Sequence, residues 1–400
     1  MKRSHIVFGA TGALIVGGAL FFRDAAGADV PRTPRDDGEV LERLPLRATD
    51  PRERQRETLH VALSAHPDDL RAALALARLD IELSRARSDP RYLGYAQAAL
   101  GAWWDLPAPP PEVLVLRATI RQSTHDFQGA LADLDRVVAV APDDAQAWIT
   151  RSVVLAVRGR YDEARASCQP LVRLAPALVY AVCEASIDGV TGAAGPAYDR
   201  LSRAIQQSRA LSPAENEWAT STLGEIALRR GRDDDAEAAF KAALTLDPDD
   251  AYVLAAYADL LIDRDRPREA IPLVANRTDN DGLLLRLALA EAKARASEAA
   301  AHAAMLRDRF AASHLRGDTV HRREEARFEL DLEGDAPAAL ALARANWDVQ
   351  REPWDVRVLL ASALAAHRPA AAAPALAFLD EHHLEDPRIG ALAARLRGPR

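Results

Sequence analysis

Two cysteines, Cys168 and Cys183, are the only thiols in 400 residues. In an oxidising compartment they could bond and close a loop of about fifteen residues, which the chain-entropy model values at about 3 kcal/mol. The alternative is two buried thiols. There is no Cys-x-x-Cys, so neither a redox centre nor a zinc knuckle is indicated. The ten histidines are scattered. His382 and His383 are adjacent and point about 100° apart on a helix, and His60 and His66 do not share a helical face. The stretch from Arg277 to Gly282 has the outline of a calcium loop, but arginine stands at its first ligand position and Ala288 where the closing glutamate belongs. No metalloprotease, nucleophile-elbow, Walker or dinucleotide motif occurs. The expectation is a chain with no catalytic residues, no metal and no cofactor. Asp233-Asp234-Asp235 reads as a helix start, where carboxylates complement the dipole.

The elements that hold these residues are marked out by prolines. Pro67, Pro107, Pro142, Pro176, Pro213 and Pro248 fall 40, 35, 34, 37 and 35 residues apart. Each closes a segment made of an apolar helical run, a turn and a second apolar run. Three of them open the same tripeptide: Pro67-Asp68-Asp69, Pro142-Asp143-Asp144 and Pro248-Asp249-Asp250. Proline ends one helix, and an aspartate accepts from the free amides that start the next. Gly159, Gly231 and Gly334 fall between the helices of a pair, where a left-handed residue closes a helix. No period-2 run bounded by hairpin signals appears, so almost no sheet is expected. A period near 34 built from two short helices predicts a helical solenoid. In that register Cys168 lies on the second helix of one unit and Cys183 on the first helix of the next.

The best-formed unit, Glu217 to Pro248, carries Leu223-Gly224, Ala227, Gly231, Ala236, Phe240, Ala243 and Pro248. Similar sets precede Pro142 (Phe127, Ala130, Leu134, Val138) and Pro176 (Trp148, Tyr161, Ala164, Cys168, Leu171), and follow Pro248 (Tyr257, Ala258, Leu261, Ala270). On these residues the chain resembles the tetratricopeptide-repeat family. The likeness is specific to about Gly282 and survives beyond Leu283 only as amphipathic pairs. The resemblance implies an all-α, right-handed solenoid of about nine antiparallel helix pairs. It divides the chain into tetratricopeptide-like repeats over 52–282, then diverged repeats and a capping helix over 283–400. The resemblance also implies that the first helix of each pair lines a concave face. Carried over, it places Gln146, Trp218 and Tyr252 on the groove wall, with Ser221, Ala255 and Asp259 further along. Trp218 and Tyr252 could then form an aromatic ladder for a peptide or partner helix, or pack between repeats as core. The family's carboxylate clamp is not expected, because Lys241 lies on a second helix and no matching asparagines are present. Of Trp103-Trp104, and of Trp347 with Trp354, one tryptophan is expected to seal a core and the other to be exposed.

Lys2 and Arg3 precede an uncharged run, Ile6 to Phe22, followed by Ala26-Gly27-Ala28. This pattern describes a secretory signal peptide cleaved after Ala28; an uncleaved membrane anchor is the alternative. Residues 29–51, rich in Pro, Arg and Asp, read as an extended lead-in. Formal charge is −8 for the whole chain and −10 without residues 1–28 (48 basic, 58 acidic). An acidic body without a basic block argues against nucleic acid as the main partner. Only Lys2, Lys241 and Lys293 are lysines, a bias that suggests a high-GC bacterium. The expected role is a scaffold or assembly factor of the bacterial envelope, periplasmic or secreted, with a protein or peptide partner. A membrane-tethered spacer with its body in the periplasm is the alternative.

Overall fold

The computed structural model describes residues 50–87, 89–208 and 212–398. The signal-peptide segment and almost all of the lead-in lie outside them. In each Pro-Asp-Asp tripeptide the second aspartate is the one that caps. Asp69 Oδ1 accepts from the Ala72 amide at 3.1 Å, Asp144 from Ala147 at 2.9 Å, and Asp250 from Val253 at 2.7 Å. Each bond satisfies one of the amides that a helix start leaves open.

Those starts open a run of antiparallel pairs, preceded by α1 (Pro51–Ala65). The first pair is α2 (Leu70–Arg87) with α3 (Arg91–Ala99), extended by the short α4 (Gly101–Trp104). The second is α5 (Pro111–Ser123) with α6 (Phe127–Val140). The third is α7 (Ala145–Val157) with α8 (Tyr161–Cys168) and the short α9 (Leu171–Leu174). The fourth and fifth are α10 (Ala177–Asp188) with α11 (Ala194–Gln207), and α12 (Pro213–Arg229) with α13 (Asp233–Leu246). The sixth and seventh are α14 (Ala251–Asp263) with α15 (Pro267–Val274), and α16 (Asp281–Ala294) with α17 (Ala299–Leu315). The eighth joins α18 (Arg322–Phe328), prolonged by a π-helical turn at Glu329–Glu333, to α19 (Ala336–Trp347). The ninth joins α20 (Pro353–Ala365) to α21 (Ala373–His382), and α22 (Pro387–Arg397) follows. Among the described residues there is no strand. The all-α solenoid of helix pairs is therefore present.

From the second pair to the ninth, every turn within a pair contains a left-handed residue: His125, Gly159, Gly192, Gly231, Asp265, Arg295, Gly334 and His367. In seven of these turns the next residue's amide donates to the carbonyl five residues back, as in Arg160 to Leu155 and Arg266 to Leu261 (2.9 and 2.8 Å). This bond closes the helix in the Schellman manner. Within a pair, small residues let the helices approach. A Cβ placed on Gly224 would lie 2.7 Å from Phe240 Cε1, so α12 and α13 interlock there.

The eighth and ninth pairs and α22 turn back against the third to sixth. The Arg351 amide donates to the Val157 carbonyl at 2.8 Å, and Arg158 Nη1 donates to the carbonyls of Asp348 and Val349 at 3.0 and 2.5 Å. Phe378 lies at the Gly159 turn, His383 at the Gly192 turn and Pro387 at the Gly231 turn. One apolar core thus runs through both parts: it holds Leu155, Tyr161 and Cys168 together with Trp347, Val356, Phe378 and Ile389. The C-terminal helices are packed into the array, beyond the capping role that the sequence suggested. Trp347 is buried in this core and Trp354 is half-buried, whereas Trp103 and Trp104 are both half-buried against the core of the first pairs. The expected split between a sealed and an exposed tryptophan does not hold for the latter two, because both rings pack onto the same cluster.

The Sγ atoms of Cys168 and Cys183 are bonded at 2.02 Å, joining the end of α8 to the middle of α10. Reduction, or Cys168→Ser/Cys183→Ser, is expected to lower stability by about 3 kcal/mol through the freed fifteen-residue loop. Thiol titration of denatured, unreduced protein checks the premise. The expected count is zero, and two thiols per chain would overturn it.

Candidate interaction surface

The six residues expected on the groove wall come from the first helices of the third, fifth and sixth pairs. Gln146 is exposed, its amide donating to Thr150 Oγ1 at 3.1 Å. Trp218 is half-buried and packs on the core of the fourth and fifth pairs, with Leu178, Val182 and Ile226. Ser221 is buried and its hydroxyl donates to the Trp218 carbonyl at 3.0 Å. Tyr252 stands out with 60% of its surface exposed, its hydroxyl donating to Glu225. Ala255 is half-buried against the core of the sixth and seventh pairs. Trp218 and Tyr252 are therefore differently placed, one leaning into the core and the other exposed and tied to Glu225 by its hydroxyl.

Asp259 is 3% exposed and belongs to an ionic cluster. Its Oδ2 accepts from Arg286 Nε and Nη2 at 3.1 and 3.0 Å and from Arg327 Nη1 at 3.2 Å, and its Oδ1 accepts from Arg327 Nη2 at 2.9 Å. Burial pushes the Asp259 carboxyl up, but the two guanidinium charges outweigh burial and hold it below the usual carboxylate range. Arg327 and Arg357 both lie over the Trp354 ring, their guanidinium carbons 4.3 and 4.4 Å from its centre. The Asp259 carboxylate is thus already met by the chain's own seventh and eighth pairs.

Two more carboxylates shape the surface. Glu217, beside Trp218, is raised to about 7 by burial and by Asp250 across the repeat boundary. Glu237 on α13 accepts from Arg266, Lys241, Tyr257 and Arg264, and the Arg266 bond leads in holding it at about 2. The second case ties the fifth pair to the sixth.

The sequence reading singled out Trp218 and Tyr252, took Trp148 only as part of the repeat pattern and missed Tyr180. Trp148 on α7 and Tyr180 on α10 are also half-buried within the first two turns of a first helix. Trp148 Nε1 donates to the Pro142 carbonyl at 2.9 Å. Their signal was in the sequence as aromatics near the start of consecutive first helices. Among the described residues no group of His, Cys, Asp and Glu is placed to hold a metal ion, and no helix is long and apolar enough to cross a membrane.

No curated protein matches the sequence. Solved structures with a similar fold include a thermophilic tetratricopeptide-repeat protein of Thermus thermophilus (20% identity, 48% of this chain and 98% of that one, TM-score 0.39). A tetratricopeptide-repeat protein of Parabacteroides merdae is 13% identical over 72% of this chain and 98% of that one, with a TM-score of 0.37. The human IFIT1 dimer with m7Gppp-AAAA is 12% identical over 83% and 86%, with a TM-score of 0.48. The family model of the tetratricopeptide repeat matches residues 115–179, 201–251 and 221–283. Those segments hold Pro142, Pro176, Pro213 and Pro248 of the proline ladder, the starts capped by Asp144 and Asp250 and the Gly224–Phe240 interlock, and over them the chain carries tetratricopeptide repeats.

Proposed function

We propose that this chain is a non-catalytic scaffold of the cell envelope that holds a protein partner along the first helices of its third to sixth pairs. Tetratricopeptide repeats generally mediate protein–protein interaction or scaffolding, and the finer assignment rests on one observation. Four consecutive first helices, α7, α10, α12 and α14, each carry an incompletely buried aromatic in their opening two turns: Trp148, Tyr180, Trp218 and Tyr252. Amphipathic aromatics near the start of successive first helices suit an extended segment or a helix, and such side chains dominate binding energy. The envelope address is supported by the basic and apolar N-terminal sequence and by the Cys168–Cys183 bond, which persists in an oxidising compartment.

Tyr252→Ala is the discriminating variant, because an exposed ring can be removed with little effect on stability. Crosslinked capture from the native envelope is expected to fall by about 10-fold or more relative to wild type, as for a moderate hot spot. Equal capture at unchanged helicity would move the site off this wall.

A further inference from the structure

Where α20 and α22 meet the first helices of the fifth and sixth pairs, they leave a cavity of about 70 Å³. One water needs about 10–15 Å³, so the space admits a molecule of a few heavy atoms. Leu228, Ala256, Leu260, Pro353 and Ile389 give it apolar walls, and Trp354 adjoins them. Four carboxylates also reach it, and each is already engaged. Asp259 is held by Arg286 and Arg327, and Asp263 by Arg357. Asp386 caps α22, accepting from the Arg388 and Ile389 amides at 2.8 and 3.1 Å, and Glu225 accepts from the Tyr252 hydroxyl. Of the three arginines in the wall, Arg357 and Arg388 are paired with aspartates. Arg229 is the exception. Its side chain is 12% exposed, its Nε is sealed from solvent without an acceptor, and its Nη2 has only Glu225 Oε2 at 3.5 Å, the outer limit of a bond. The described residues offer this guanidinium no other polar partner.

We propose that this cavity is a binding site for a small organic monocarboxylate, whose carboxylate pairs with Arg229 and whose apolar end rests on Leu260 and Ile389. A buried guanidinium short of acceptors carries a desolvation cost that an anion offsets. Its planar fork matches a carboxylate. The first residues of α20 and α22 adjoin the cavity, where the helix dipoles favour negative charge. The carboxylates in the wall repel a doubly charged anion more strongly than a monoanion. The volume limits the ligand to a short acid. Binding requires no parting of the packed helices. The site goes beyond the scaffold reading and does not depend on it.

The test uses the full chain, propionate as the probe and saturation-transfer NMR on the propionate methyl protons. Wild type is expected to bind with a Kd on the order of 1 mM, ordinary for a ligand of this size. Arg229→Met keeps the apolar stem and removes the guanidinium, and affinity should fall by about tenfold or more. Glu225→Gln leaves an acceptor for Tyr252 and removes the charge that competes for Arg229, so binding should tighten by about threefold or more. Acetate should displace propionate from wild type, whereas propionamide, of the same shape without the charge, should not. Acetyl-glycylglycine carries its carboxylate on a chain end too large for the cavity and should not displace it either. Equal binding by wild type and Arg229→Met, or no binding by wild type and by Glu225→Gln, would overturn the proposal. So would displacement by propionamide as effective as by acetate, or by acetyl-glycylglycine, which would make the opening a peptide site. Should Arg229→Met lose wild-type helicity, the Glu225→Gln and propionamide comparisons still decide.

Discussion

Asp259→Ala should be among the most destabilising single changes to a carboxylate in this chain, at about 3–5 kcal/mol, the range for removing one partner of a buried ion cluster. Among the described residues the carboxylate is the only acid to which Arg286 donates, and it is shared with Arg327 through four bonds of 2.9 to 3.2 Å. Arg286 keeps one further bond, to the Gly282 carbonyl, and Arg327 keeps its stacking on Trp354. Truncation therefore strands two guanidinium groups that are 7 and 6% exposed as residues. Asp259→Asn retains an acceptor oxygen and loses the charge, so it should fall between wild type and alanine. Urea denaturation followed by far-UV dichroism reads the difference as a shift in midpoint. A residue whose role is contact with a partner would leave stability within about 0.5 kcal/mol, as surface positions do. A loss that small would return Asp259 to the binding face, whereas the larger loss assigns it to holding the eighth pair against the sixth.

Asp259 also marks the boundary of what the sequence made legible. The family resemblance placed it on a concave, partner-binding face, whereas its carboxylate is bonded by the chain's own Arg286 and Arg327. Its partner Arg327 is 68 residues away, and no local pattern connects the two. The seam at Val157 and Arg351 spans 194 residues and leaves no periodic trace either. Repeat grammar describes neighbours, so it carried the pairs, the Pro-Asp-Asp caps and the glycine turns. It did not carry the return of the chain onto its own third pair. The turns show the same limit at shorter range. Gly159, Gly231 and Gly334 were readable because glycine takes φ > 0 without a Cβ penalty. His125, Asp265, Arg295 and His367 occupy the same place with φ between 53 and 60°. There the backbone bond to the fifth carbonyl back holds a residue whose type alone gives a weak signal or none. Of the candidate site, Trp218 and Tyr252 were legible as aromatics in neighbouring repeats, while the difference between core-leaning Trp218 and exposed Tyr252 depends on the neighbours each ring meets.

Phe378→Ala is expected to remove about 3–5 kcal/mol, the cost of truncating a buried phenylalanine, and the loss should be localised. The ring is 4% exposed and sits edge-on to Trp347 with centres 5.3 Å apart, 5.8 Å from Tyr161 and 4.4 Å from His382. Trp347 and His382 belong to the returning helices and Tyr161 to the third pair, so the ring joins the two sides of the seam. Amide exchange should accelerate in α8 and in α19 to α22, while α14 and α16 keep their protection, since a solenoid transmits stability mainly between neighbours. Gly159 supplies a check from the opposite side. Its φ is +74°, and an added Cβ would lie 2.7 Å from Phe378 Cε2 and 3.0 Å from Cζ. Gly159→Ala therefore carries both left-handed backbone strain and a clash with the ring. In the Phe378→Ala background the clash is gone and only the strain remains, so Gly159→Ala should be less destabilising there than in wild type. A coupling of about 0.5–3 kcal/mol is the range for residues in contact. Additive losses in the double variant would mean that the turn and the ring do not press on each other, and that the third pair is not where the chain closes on itself.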